Sequence, residues 1–202
     1  MLIRMFRNCF PVSSLAALAL LACLPAEAAW ELDNARSALK FMSVKNKTIA
    51  ELHHFKSMTG GISDSGLAQL VIDLDSVETL VPIRNQRLRE LFFETVRFPS
   101  ATLTVAVPEA LNGLGPGETA TWKIDATIEL HGMSGNYSVY VMASHAEDGS
   151  LRVVLREPLV LKVADFGLAA GVDILREVAG LDSISPAIPV SGYLVFTPVQ
   201  DS

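Results

Sequence analysis

The sequence predicts a mainly β protein: about eight short antiparallel strands in a meandering barrel or sandwich, with one or two short helices in the connections. Three observations lead there. Apolar residues recur at every second position in segment after segment, the pattern of a strand with one buried face. Only two segments carry the three-to-four spacing of a helix, so the βαβ alternation of a parallel fold is missing. The chain has 202 residues, half of them apolar, with no repeat or low-complexity stretch, which suits one domain with a real core.

The first 28 residues stand apart from that fold. Arg4 and Arg7 precede a run of apolar or small residues over 11–24, and Ala26-Glu27-Ala28 offers a small–x–small cleavage site before Ala29. This is the layout of an export signal. The expected organisation is a signal peptide over 1–28, a β-barrel domain over 29–202 and a periplasmic location, with no stable membrane span once the signal is removed. The apolar run is short for a span, and no later run of 18 or more apolar residues exists. Two other readings of the same segment are a retained anchor and a lipoprotein attached through Cys23 of Leu20-Leu21-Ala22-Cys23, although Leu21 is bulky for such a box. Cleavage before Ala29 leaves 174 of the 202 residues, removes Cys9 and Cys23, and moves the net charge from −6 to −7. An acidic, thiol-free chain argues against a disulfide scaffold, a thiolate metal site and nucleic acid as a main partner.

Along the remaining chain, residues 39–44, 49–55, 70–74, 103–107, 151–155 and 188–196 are expected as strands. The clearest strand is 122–130, where Trp122, Ile124, Ala126, Ile128 and Leu130 alternate with Lys123, Asp125, Thr127 and Glu129. A turn over 132–135 leads into 137–143, making the strongest hairpin signal. Residues 84–95 place Leu88, Leu91 and Phe92 at helical spacing, and 172–178 read as a shorter helix flanked by Gly171 and Gly180. The glycine-rich stretch 109–119 is a loop between two strands.

No catalytic centre is legible. His53 and His54 are adjacent and face opposite sides of a strand, so they make poor joint ligands, and no metal-site spacing involves His131 or His145. Gly132-Met133-Ser134-Gly135-Asn136 approaches a nucleophile elbow but lacks its last glycine and lies in a hairpin. Arg84, Arg87 and Arg89 crowd one helix. They are read as a solvated face partnered by Glu90 and Glu94, or as a clamp in which Arg84 and Arg87 hold an anionic headgroup at a pocket mouth.

Several segments together resemble the YceI-like, polyisoprenoid-binding family. Trp30-Glu31-Leu32-Asp33 through Ser37-Ala38-Leu39-Lys40-Phe41 is similar to its opening strand, and Ile72-Asp73-Leu74-Asp75-Ser76-Val77-Glu78-Thr79 to its D-x-x-S-I-x-T segment. Arg87-Leu88-Arg89, Phe92-Phe93 and Arg97-Phe98-Pro99 resemble its LR…FF…(Y/F)P helix and tail. Leu130-His131-Gly132-Met133 and Asp165-Phe166-Gly167-Leu168 match its HG turn and its DFG segment. The chain departs from the family pattern at Val163-Ala164, where an arginine is expected, and at 83–89, which lacks the usual aspartate and histidine. The resemblance implies a lipocalin-like antiparallel barrel, exported, that holds a long isoprenoid or similar amphiphilic chain; it does not imply a catalytic centre.

An eight-stranded barrel is wide enough either to be filled by side chains or to hold one slender ligand. The residues expected to line the interior are Phe41, Leu70, Ile72, Leu103, Val105, Trp122, Ile124, Ile128, Val139, Val141, Phe166 and Phe196, each of which could equally be solid core. The leading expectation is a periplasmic carrier of an isoprenoid lipid or quinone, with no other cofactor, no metal and a homodimer as one conceivable assembly. Two further readings stay open at this point: a ligand-free interaction module serving a membrane redox or stress-response system, and a hydrolase or isomerase acting on the lipid.

Overall fold

The computed structural model describes residues 28–111 and 113–199. Apart from Ala28 the expected signal segment, with Cys9 and Cys23, lies outside the described residues. The described residues form twelve strands in one antiparallel sheet: β1 Ala28–Leu32, β2 Ala38–Lys45, β3 Ile49–Phe55, β4 Met58–Ser63, β5 Leu67–Asp73, β6 Val77–Glu78, β7 Ser100–Ala106, β8 Thr119–Leu130, β9 Met133–His145, β10 Leu151–Leu155, β11 Leu159–Lys162 and β12 Ala187–Pro198. Two short helices, α1 Pro82–Arg87 and α2 Ala169–Val178, interrupt the meander.

The pairings close the sheet into an eight-stave barrel. β1 and β2 run end to end along β12, Trp30 opposite Pro198 at one end and Phe41 opposite Val190 further along. β3 and β4 likewise form one interrupted stave, pairing β2 and β1 respectively. β10 and β11 share the opposite edge of β12. With β5, β7, β8 and β9 between them, the ring returns to its start. Closure leaves no long free edge, which is how an all-β domain avoids pairing with its neighbours.

Both helices sit at one end of the barrel, together with the β2–β3 turn and the β8–β9 turn. We call this the helix end. The opposite, loop end carries the β4–β5 and β9–β10 turns and the connection 107–118, whose first turn is the 3₁₀ segment Glu109–Leu111.

Three local expectations are corrected. The helix expected over 84–95 starts earlier, at Pro82, where a missing N–H costs nothing. It then widens into a π-helical turn, Leu88–Phe93, that ends at Glu94 with φ 50°. Widening shifts the buried partner of Leu88 from the fourth residue to the fifth, so Phe93 is buried while Phe92 is only half-buried. The second helix begins at Ala169, three residues before the expected start.

The turn expected over 132–135 is tighter. Leu130 pairs with Met133, and only His131 and Gly132 bridge them, both at positive φ (54° and 74°), the geometry of a two-residue hairpin turn. Gly135 pairs with Ile128 inside the strand. A Cβ on Gly135 would lie 3.4 Å from Cζ of Phe166 and 3.0 Å from Tyr137. The glycine therefore makes room for an aromatic ring; it does not make the turn.

Candidate functional site

The barrel is hollow. Period-two alternation sends one side of every stave inward, and these side chains border a cavity of about 610 Å³, within the roughly 300–1,000 Å³ range of small-molecule sites. On β8 the inward residues Trp122, Ile124, Ala126, Ile128 and Leu130 all border it, and on β12 Ile188, Val190, Gly192, Leu194 and Phe196 do. All twelve apolar residues expected to face inward lie on this cavity, as do Arg84 and Arg87. Several of them, including Phe41, Leu103, Ile124 and Val139, remain half-buried because their exposed surface faces the interior space. Phe166, by contrast, is fully buried in a separate cluster with Val163, Leu168 and Val172 that seals the wall between β9 and β11.

The cavity has two unlike ends. Near the loop end Val107, Pro108 and Leu111 border it. At the helix end its border becomes charged: Lys45 at the end of β2, Glu51 on β3, Arg84 and Arg87 on α1, and Lys162 at the end of β11. Glu51 sits between two cations. Its Oε2 accepts from Lys45 Nζ at 2.8 Å and from Arg84 Nη1 at 3.0 Å, and its Oε1 accepts from Arg84 Nη2 at 3.4 Å. These two cations, Lys45 foremost, hold the Glu51 carboxyl below its usual range despite partial burial. Arg87 and Lys162 have no carboxylate within salt-bridge distance among the described residues.

Arg84 and Arg87 thus meet at the mouth, whereas Arg89 turns away and donates to the carbonyl of Asp75 at 3.4 Å. The glutamates that a merely solvated helix would use are engaged elsewhere, Glu90 with Gln86 and Glu94 with Arg97 and His131. A buried clasp fixes α1 in this position. Asn85 Oδ1 accepts from the Thr79 backbone N–H at 2.9 Å and from its hydroxyl at 2.6 Å, and its amide donates to Glu78 at 2.8 Å.

Just inside the charged rim, His53 Nε2 is 2.8 Å from Ser43 Oγ. Burial, with the nearby Arg84 charge, lowers the His53 pKa, so the ring is neutral near pH 7. Sequence reasoning missed this pair, as it missed Lys45, Glu51 and Lys162. A serine beside a neutral histidine has the outline of a nucleophile and base, but Nδ1 of His53 is buried with no hydrogen-bond partner. No third group fixes the tautomer in which Nε2 would accept the serine proton. The arrangement that leaves an acceptor, not an N–H, unpaired has Nε2 donating to Ser43. No group of three His, Cys, Asp or Glu side chains placed to hold a metal ion occurs among the described residues. No helix among them is long and apolar enough to cross a membrane.

Over residues 30–196 this barrel chain matches a known domain, the YceI-like domain. The chain belongs to the YceI-like family. Among solved structures, this YceI-like protein is similar to a polyisoprenoid binding domain from Saccharophagus degradans implicated in plant cell wall breakdown. The two are 38% identical, with a TM-score of 0.84, over 86% of this chain and all of the other. It also shares its fold with BcnA of Burkholderia cenocepacia (16% identity, TM-score 0.62, 81% of this chain and 98% of the other) and with the Campylobacter jejuni YCEI protein (17%, 0.52, 74% and 85%). None of the curated proteins matches the chain.

Proposed function

We propose that this YceI-like protein is a binding and carrier protein for an isoprenoid or similar amphiphilic lipid. Its chain lies in the barrel and its head lies at the helix end. The observation that carries the reading is the cavity itself: an apolar interior of about 610 Å³ whose polar side chains gather mainly at one mouth. An amphiphile has the same division. The similarity to a polyisoprenoid binding domain at 38% identity supports the choice of chain.

The energetics suit this. Burial is worth about 0.8 kcal/mol per CH₂, so each five-carbon unit brings roughly 4 kcal/mol. Association and ordering cost about 4–15 kcal/mol, so a few such units suffice for micromolar binding. The reading includes export to the periplasm, which rests on the layout of residues 1–28. It assigns no turnover to the protein. Lipid extraction of the natively purified full-length product, followed by mass spectrometry, tests it. One dominant class of long-chain amphiphile is expected, and a reproducibly empty barrel would overturn the reading.

A further inference from the structure

The outer wall of the barrel is not polar all round. On β8 the outward residues are Thr121, Lys123, Asp125, Thr127 and Glu129, the solvent face expected of an antiparallel wall. Across β3, β2, β12 and β11 the outward positions form an apolar row instead. Leu52 pairs with Met42, and Pro189 with Val160. Met42 and Pro189 each stand one residue past the Phe41–Val190 pair that joins β2 to β12. Leu52 is 62% exposed and Val160 50%. Leu80 extends the row, two residues past Glu78, which pairs with His54 of β3. It is 84% exposed and sits at φ 61°. Leucine pays in strain for left-handed backbone, where asparagine or glycine is easier. Folding therefore gives no reason for an apolar side chain at 80, and contiguous apolar surface of this kind marks a contact site.

The charges around the row say what meets it. Lys40 lies two residues from Met42 on the same face, Lys162 two residues from Val160, and Lys47 in the β2–β3 turn. All three are exposed, with no carboxylate within salt-bridge distance among the described residues. The wall strands β2, β3, β6, β11 and β12 carry two carboxylates, Glu51 and Glu78, and Lys45, Arg84 and Lys56 engage both. Asp182, whose backbone N–H donates to Asn46 in the β2–β3 turn, is the exposed acid beside them, and three cations outweigh it. A second copy suits this face poorly, because a twofold contact sets a surface against itself and would oppose lysine to lysine. We propose that this wall docks on an anionic lipid bilayer, its apolar row entering the edge of the hydrocarbon and its lysines meeting the lipid phosphates. Leu52 and Met42 lie three residues from the β2–β3 turn, about 10 Å along the strands, a depth that an interfacial apolar face reaches. Docking of this kind holds the helix end at the membrane surface, and it goes beyond the carrier reading without depending on it.

Flotation of the natively purified protein, its N-terminus fixed by intact mass, tests the proposal. The vesicles are phosphatidylcholine alone and phosphatidylcholine mixed with phosphatidylglycerol. Binding is expected to both and tighter to the mixed vesicles, with that margin shrinking as salt rises. Leu52→Ser with Leu80→Asn is expected to lower partitioning to both by about tenfold or more. Its thermal midpoint should change little, since both side chains are exposed and asparagine accepts the left-handed backbone. Lys40→Gln with Lys47→Gln is expected to lower binding to the mixed vesicles alone, by about tenfold. Leu67→Ser, at the loop end, is expected to change neither. Placement is read separately: vesicles of chain-brominated phosphatidylcholine should quench the emission that Leu52→Trp adds and spare that of Leu67→Trp. Binding to neither vesicle, equal binding by every variant, or quenching in Leu67→Trp but not in Leu52→Trp overturns the docking and leaves the lipid cavity standing. So does a dimer, seen by sedimentation, that Leu52→Ser with Leu80→Asn dissociates in a protein that floats with neither vesicle. An empty barrel in a protein that floats as expected overturns the carrier reading and leaves the docking surface in place.

Discussion

The ring of Phe166 lies against the bare Cα of Gly135, near enough that a Cβ there would sit 3.4 Å from its Cζ. Phe166 is fully buried, and Tyr137 stacks beside it with ring centroids 6.2 Å apart. This contact plugs the wall where β9 loses its neighbour: β10 pairs with β9 only as far as Leu155 opposite Val141, and β11 follows β12 instead. Phe166→Ala should cost about 3–5 kcal/mol, as large-to-small changes at packed aromatics do. Gly135→Val should destabilise more than Gly135→Ala, since the first must displace both rings. Denaturant unfolding with unchanged m-values checks the series.

The Thr79–Asn85–Glu78 clasp sets the position of α1 and therefore of Arg84 and Arg87. Asn85→Ala leaves the buried Thr79 N–H and hydroxyl short of their acceptor, a loss of about 1–3 kcal/mol. The same change should weaken binding of a charged-head amphiphile, because the helix carrying the two arginines loses its anchor. Unfolding curves and ligand titration on one preparation check both effects.

The clasp also predicts an acid response. Hydrogen bonds from Asn85, the Leu80 backbone N–H and Lys56 lower the Glu78 pKa from near 4.5 to about 2. A carboxylate depressed on folding stabilises the protein above its unfolded pKa and loses that contribution as pH falls towards its folded value. Asp148, held by Ser150 and Arg36, also lies at about 2 and acts in the same window. Stability should therefore decline between about pH 4.5 and 2, more shallowly in Glu78→Gln. Thermal midpoints measured across that range, wild type against variant, give the comparison.

His53 acts in a higher window. Its pKa is lowered by burial, so the unfolded chain takes up a proton that the folded one resists. That difference withdraws stability as pH falls below the ordinary histidine value of about 6.5. His53→Phe should remove this limb of the profile. A variant with the same slope as wild type between about pH 6.5 and 5 would contradict the assignment.

What the sequence made legible, and what it hid, follows from how each part is built. β8 could be read outright because a barrel wall with water outside and an apolar interior imposes strict alternation, and Trp122 to Leu130 obeys it. β4 escaped because Gly60 and Gly61 interrupt its pattern, and β11 because four residues are too few to show a period. The apolar lining was readable by the same alternation. Arg84 and Arg87 were readable because they share one helix. Lys45 and Glu51 meet across the β2–β3 hairpin as diagonal neighbours, which depends on its register, whereas Arg84 and Lys162 reach the same mouth only through the tertiary fold, and no local spacing announces that meeting. The Ser43–His53 pair is a cross-strand neighbour relationship that depends on the β2–β3 register.

The hollow interior can be tested through one of its own walls. The chain has two tryptophans, Trp30 and Trp122, and of these only Trp122 borders the cavity. In Trp30→Phe the remaining indole reports on the space beside it. Titration with a chain-brominated amphiphile should quench Trp122 fluorescence saturably, and an unbrominated chain of equal length should reverse the quenching by competition. Ile124→Trp, read instead by native mass spectrometry, should lose bound chain while keeping its fold. Trp122 emission that is insensitive to the brominated chain, at concentrations where the protein binds it, would contradict the account.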